Sequence, residues 1–152
     1  MPTLTATTWA DPRVQALSDA QQAELRERYD GRGESGTPPT AEDVAVVLLL
    51  SEDDGTPVGC GALRPLEPGT AELKRMYVVP AARGRGLSRL VLTGLEATAA
   101  ERGWHTLRLE TGPLQHEAIA LYERSGYRPI EAFGHYLDEP DEWSRYYEKE
   151  LP

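Results

Sequence analysis

A single cysteine, Cys60, rules out an internal disulfide and leaves no set of thiolates from which a zinc cluster could be built. Basic residues are also scarce. Lys and Arg total 16 against 25 Asp and Glu, for a formal net charge of -9 and a pI near 4.8. A nucleic-acid binder should carry a basic surface, so no nucleic-acid partner is expected. No apolar run approaches the ~20 residues that cross a bilayer, so no membrane association is expected either. Met1 to Arg13 lacks a basic start followed by an apolar stretch and does not read as a signal peptide, which makes a cytoplasmic protein the expectation. His105, His116 and His135 have no metal-ligand spacing, and no metal is expected. A Gly-x-x-x-x-Gly-Lys-Ser/Thr loop is missing, which disfavours a P-loop nucleotide binder. There are no internal repeats.

What remains fits one compact domain over residues 1–152, with 39% hydrophobic residues and its Gly and Pro dispersed. Thr3 to Trp9 alternates as an edge strand. Asp11 and Pro12 then read as cap and first turn of a helix that ends by Gly31. A polar Gly/Pro-rich loop follows to Asp43. Val44 to Leu50 is apolar and β-branched enough for a buried strand, with a short helix as the alternative. Turns at Asp53–Pro57 and Glu67–Gly69 separate the next two strands, the second carrying Glu72. Leu87, Leu90, Val91, Leu95 and Thr98 mark one face of a helix. Trp104 to Glu110 is a strand, Leu114 to Ser125 a helix with Gly126 as its left-handed stop, and the last strands lie at Tyr127–Ile130 and Arg145–Leu151. This order predicts an α/β fold with a mixed sheet. Strands joined by turns must be antiparallel, whereas the connection through Leu87–Arg102 permits a parallel pair.

The most informative segment runs from Glu72 to Ser88. It takes an alternating strand into a glycine-bearing turn that opens directly onto a helix. The first N–H groups of a helix have no internal partner, and the helix dipole adds positive potential there. Gly84 and Gly86 let the backbone approach a ligand with no Cβ in the way, while Arg83 and Arg85 add charge suited to phosphate. The unit reads as a pyrophosphate cradle.

Arg83-Gly84-Arg85-Gly86-Leu87-Ser88 resembles the Arg/Gln-x-x-Gly-x-Gly/Ala loop of the GNAT superfamily of N-acetyltransferases, which grips the pyrophosphate of acetyl-CoA. Further on, Ala118-Ile119-Ala120-Leu121-Tyr122-Glu123-Arg124-Ser125-Gly126-Tyr127 resembles that superfamily's Ala-x-x-Leu-Tyr-x-x-x-Gly-Phe/Tyr segment. The two occur in the family's order and cover about Val44 to Tyr127. Ser88 stands where the loop usually has Gly or Ala, and Gln115 where an Asn often precedes the second segment. The resemblance implies the GNAT fold, a mixed, mostly antiparallel sheet of about six or seven strands flanked by helices, and acetyl-CoA as cosubstrate. It implies cofactor contacts from the backbone of Met76, Tyr77 and Val78, from Arg83 to Ser88, and from Gln115.

Acetyl transfer to an amine needs the amine neutral. With a pKa of about 10.4, neutralising it at pH 7 costs roughly 4–5 kcal/mol, so a nearby base helps. Glu72, on the strand entering the glycine loop, matches the acid–base Glu position in one branch of the family. The alternative is a Glu paired with Lys74 or facing solvent. Tyr122 matches the residue that hydrogen-bonds the thioester sulfur as general acid in many members; the alternative is a packed aromatic. The Met76 amide is a candidate donor to the thioester oxygen. Cys60 reads as a small core residue. The expected reaction is acetyl transfer to a primary amine of a small molecule or exposed protein site, with a non-catalytic acyl-CoA-binding module as the alternative. The acceptor pocket is expected from the Asp11–Asp43 and Phe133–Trp143 regions, with His135 a candidate to reach it. The acidic residues Asp138, Glu139, Asp141 and Glu142 read either as a solvated turn or as a funnel for a cationic amine. The residues leave monomer and homodimer open.

Overall fold

Val46–Ser51 is apolar at successive positions because both of its faces are covered. In the computed structural model, which describes residues 1–152 apart from Gly33, Ser35, Glu139 and Pro140, this strand sits inside a seven-stranded sheet. The strands are β1 (Thr3–Thr7), β2 (Val46–Ser51), β3 (Pro57–Glu67), β4 (Thr70–Val78), β5 (Thr106–Thr111), β6 (Arg128–Ile130) and β7 (Arg145–Glu150), in the spatial order β1-β2-β3-β4-β5-β7-β6. The helices are α1 (Pro12–Arg28), α2 (Leu87–Glu101) and α3 (His116–Arg124). Two short 3-10 turns, Pro80–Ala82 and Gly134–Leu137, were not expected from the sequence.

Alternation along β2 divides the interior in two. Val46, Leu48 and Leu50 join Leu63, Leu73, Val91, Leu95, Leu107 and Leu109 on the side of α2. Val47 and Leu49 pack with Val14, Leu17, Cys60, Ala62 and Tyr77 on the side of α1. Asp11 caps α1 through its side chain with Pro12 at the first position, and Gly126 takes φ +94° just past α3, both as the sequence predicts.

Among the described residues only β4 and β5 run parallel, which the connection through α2 permits. Their pairing stops at Leu73 and Leu109, although β4 continues to Val78 and β5 to Thr111. Beyond that point the two strands have parted, and the β5-facing edge of Lys74–Val78 has no strand partner. On its other side β4 carries a bulge. Cys60 pairs with Tyr77 and Ala62 with Lys74, so Gly61 alone faces both Arg75 and Met76, and Arg75 takes φ +54°. Gly61 has no room for a Cβ, which would meet Leu95 of α2 at 2.7 Å.

Candidate functional site

The gap between the parted strands opens into two adjoining cavities. The larger, about 540 Å³, runs from Met76, Tyr77 and Val78 past Arg83, Gly84, Gly86, Leu87, Ser88 and Arg89 to Gln115 and Leu121. Gly84 and Gly86 adopt φ +81° and +74°, and a Cβ at either would meet nothing within 4 Å. Their glycine identity thus serves backbone conformation and open space rather than tight packing. Gly86 caps α2 with no side chain over the helix end. Gly86, Leu87, Ser88 and Arg89, which open α2, line the cavity, and a helix start with its unpartnered amides suits phosphate.

Two of the expected ligands differ in placement. Arg83 lines the cavity, held by its Nε donating to the Val78 carbonyl at 2.9 Å and by Glu24 at 2.9 Å. Arg85 is absent from the lining and pairs with Glu52 at 3.0 Å. Cations that the sequence reading passed over, Arg28, Arg89 and Arg124, line the cavity instead. Nothing local marked Arg28 and Arg124, because α1 and α3 reach the cavity only through the fold, whereas Arg89 lies on α2 just past the glycine loop. Gln115 borders both cavities. So does Gln21 of α1, whose Nε2 donates to the Met76 carbonyl at 2.7 Å while its buried Oε1 has no partner. The glycine cradle, the unpaired strand edge and this orphaned acceptor suit a ligand with a phosphate end and an amide-bearing arm such as acetyl-CoA.

The smaller cavity, about 80 Å³, lies on the other side of Met76 and is bounded by Tyr29, Glu34, Lys74, Arg75, Glu110 and Asp141, among others. Its walls come from α1 and the loop after it, from β4 and β5 with the turn that follows β5, and from the segment before β7. His135 does not line it. The His135 Nδ1 accepts from the Thr37 amide at 3.0 Å, and its Nε2 lies 3.2 Å from Glu72. Of the acidic run, Asp141 borders the cavity and Glu139 lies outside the described residues.

Two carboxylates near the parting strands, the buried Glu72 and the half-buried Glu110, have different surroundings. Glu72 has no exposed surface and lines neither cavity. It accepts from Arg64 Nε at 2.8 Å and from the Tyr136 hydroxyl at 2.6 Å, so its partner is Arg64, opposite it on β3, rather than Lys74. Glu110, one residue past the last β4–β5 pair, does line the smaller cavity. The one hydrogen bond to its carboxylate among the described residues comes from the Ser144 hydroxyl at 2.7 Å. Burial pushes its carboxyl up to about 7, against the opposing pull of Ser144 and Lys74. The sequence reading missed Glu110 because a Glu closing a strand is ordinary until the neighbouring strand departs.

Tyr122 is buried in the α2-side core, edge-on to Tyr127 with ring centroids 5.6 Å apart. Burial raises its phenol, with a smaller contribution from Glu110, and keeps it protonated. It lines neither cavity. Cys60 is a core residue, its thiol pushed up to about 12 by burial. No group of His, Cys, Asp and Glu fit to hold a metal occurs among the described residues, and no helix among them is long and apolar enough to cross a membrane.

Residues 8–127 match the family model of the acetyltransferase (GNAT) family. The chain is 42% identical over 105 residues to an IAA acetyltransferase of Azospirillum brasilense, a match covering 68% of this chain and 67% of that protein. Matches to uncharacterised N-acetyltransferases of Escherichia coli and Schizosaccharomyces pombe span 50% and 56% of their lengths. The fold superimposes on the crystal structure of a candidate acyl-CoA N-acyltransferase from Klebsiella pneumoniae with a TM-score of 0.85 and 40% identity, covering 100% of this chain and 99% of that one. An acetyltransferase structure from Elizabethkingia anophelis with acetyl-CoA bound has the same fold at TM-score 0.69 and 19% identity, over 99% of this chain and 98% of that one.

Proposed function

The chain belongs to the acetyltransferase (GNAT) family, and on that footing we propose that it transfers the acetyl group of acetyl-CoA to a primary amine by direct attack on the thioester. The observation that carries this reading is the position of Glu110. It is a carboxyl poised near 7 in the cavity that adjoins the glycine cradle, at the point where the strands part. A base is most effective with its pKa near the working pH, because it is then both substantially ionised and able to hold a proton. Glu110 takes a proton from the acceptor ammonium, directly or through a water. The nitrogen lone pair then attacks the acetyl carbon, and the C–S bond breaks as the tetrahedral adduct collapses. The second ammonium proton leaves the nitrogen in that collapse, and the departing sulfur gains one. The proposal retains Tyr122, next to the cavity-lining Leu121 and with no hydrogen-bond partner for its hydroxyl among the described residues, as the donor to that sulfur once the ligand is bound. With its phenol raised further above a thiol of about 8.5, Tyr122 acts by donating the bond rather than by surrendering the proton. Glu72, already held by Arg64 and Tyr136, is assigned to holding β3, β4 and the Gly134–Leu137 turn together.

The test is release of free CoA thiol across a panel of primary amines, with Tyr122→Phe beside the parent. Amine-dependent release with kcat lowered about 10²–10³-fold in the variant, and acetyl-CoA affinity unchanged, supports the reading. Tight acetyl-CoA binding with no release for any amine would favour the acyl-CoA-binding module.

A further inference from the structure

Lys74 and Arg75 are consecutive residues of one strand, and consecutive strand residues ordinarily point to opposite faces. Here both reach the same carboxylate. Glu34, in the α1–β2 loop, lies 2.7 Å from Lys74 Nζ through Oε1 and takes a forked contact from Arg75, with Nε at 3.1 Å and Nη2 at 2.6 Å. The bulge explains the coincidence: the positive φ of Arg75 turns its side chain back toward the face that Lys74 occupies. Such a backbone conformation is uncommon outside glycine and persists only where its surroundings impose it. Both cations are nearly buried, with side chains 5% and 11% exposed. They border the smaller cavity beside Glu110 and Met76. Arg75 also donates to the Ser18 hydroxyl, and Lys74 lies 3.3 Å from the Tyr136 hydroxyl.

With Glu34 in place, the cavity of about 80 Å³ is far below the ~300–1,000 Å³ usual for ligand sites and holds little more than a few waters. The Glu34 carboxylate that narrows it belongs to the α1–β2 loop, in which Gly31, Arg32 and Thr37 are exposed. Gly31 before it takes φ +91° with open space around its Cα, and beyond it Thr37 meets His135 through its amide. Glu34 is therefore a loop carboxylate seated on a rigid, strand-borne cation pair in the space an acceptor needs.

Resting on the acetyltransferase reading above, we propose that Lys74 and Arg75 form an acceptor carboxylate subsite, that Glu34 occupies it until the acceptor arrives, and that the enzyme accepts amines carrying a nearby carboxylate, such as amino acids. A neutral or cationic acceptor cannot take the place of Glu34, because it would strand two desolvated cations without a counter-charge. A carboxylate can, since one anion is exchanged for another and the pairing is kept. The acceptor amine then lies toward Glu110, whose carboxyl is close enough to feel the charges of both Lys74 and Glu34. The acidity of the whole chain, net -9, does not extend to this floor.

The experiment compares matched acceptors on the unmodified enzyme with acetyl-CoA: a panel of amino acids, their carboxamides and the corresponding decarboxylated amines, read by free thiol. The expected result is a kcat/KM at least about tenfold higher for the acids, carried mainly by KM. In Glu34→Gln, which removes the competing charge at nearly constant shape, KM for the acids should fall several-fold while KM for the amides does not. Calorimetry of propionate with Glu34→Gln saturated with CoA should show binding that the parent lacks. If the parent prefers the amides or decarboxylated amines, the subsite proposal is overturned while the acetyltransferase reading stands. If no amine of any kind releases thiol from bound acetyl-CoA, both fall.

Discussion

At the proposed phosphate end of the cleft backbone leads, with arginines beside it: the start of α2, the unpaired edge of β4, and two glycines at positive φ with open space around them. At the proposed acceptor end the contacts are offered by side chains, namely Glu34, Lys74, Arg75, Glu110 and Asp141, drawn from distant parts of the chain, with Lys74 and Arg75 both paired to Glu34. A backbone cradle is insensitive to which residues surround it and suits a ligand that never changes. A floor of side chains can be altered one residue at a time without touching the cradle, and that is where a family with one cosubstrate and many acceptors has room to vary. Glu72 and Glu110 repeat this contrast on a smaller scale. Glu72 is saturated by fixed partners, whereas Glu110 retains an unspent capacity facing the cavity.

The largest expected effect tests the two glutamates against each other. Glu110→Gln should lower kcat/KM by about 10²–10⁴-fold and abolish the rise in rate as pH increases through about 7, since the ionised carboxylate is the active form. Glu72→Gln should leave kcat of the folded enzyme within a few-fold. Its cost is in stability, on the order of 3 kcal/mol, because the buried Arg64 loses its closer charged partner and keeps only Asp43, whose side chain is partly exposed. Measured kcat values and urea midpoints that reverse this assignment would return the base to Glu72.

The same residue makes a second prediction in stability alone. The Glu110 carboxyl is raised from 4.5 to about 7 in the folded protein, so folding favours its protonated form. That contribution is fully present below about 4.5 and is lost as pH rises to about 7. At 1.36 kcal/mol for each unit, the loss reaches on the order of 3 kcal/mol. Glu110→Gln escapes it, so the variant should exceed the parent in stability at pH 8 and converge with it near pH 4. Parallel stability–pH curves for the two proteins would mean that Glu110 does not carry the raised carboxyl.

The cradle is tested by Gly86→Asp, with an expected loss of about a hundredfold in acetyl-CoA affinity, or about 2.7 kcal/mol, by calorimetry. The substitution puts an anion where the phosphate is received. Nothing lies within 4 Å to clash with the new Cβ, and Asp tolerates positive φ better than most residues, so the fold should persist. Unchanged affinity in a folded variant would move the phosphate site elsewhere.

The same contrast explains what could be read from the chain. Alternation, caps and turns are local, so the seven strands, three helices and their order were legible, as was the glycine cradle, whose elements are adjacent in sequence. The acceptor end was legible only as two regions. Its partners Glu34, Lys74 and Glu110 meet through the β4 bulge and the early end of β4–β5 pairing, and neither feature has a residue signature here. Arg75 is an ordinary residue in an unusual conformation. Glu72 drew attention because it lies on the strand entering the loop, but strand position does not specify which face, or which partner, a carboxylate will have.

The smallest effect separates the two arginines of the glycine loop, which the sequence treats alike. Arg83→Ala should weaken acetyl-CoA binding about tenfold, and Arg85→Ala by no more than about twofold. Arg83 lines the cavity and is braced by the Val78 carbonyl and by Glu24, so its guanidinium meets an incoming phosphate with little further ordering. Arg85 faces Glu52 on the far side of the turn, with a side chain 45% exposed, where a single ion pair contributes little and salt screens it. Added salt should therefore weaken acetyl-CoA binding to the parent and to Arg85→Ala with the same slope, and to Arg83→Ala with a shallower one. Equal losses from both substitutions would mean that the loop swings Arg85 into the cavity when the ligand binds, and that the contrast between the two side chains belongs to the ligand-free protein alone.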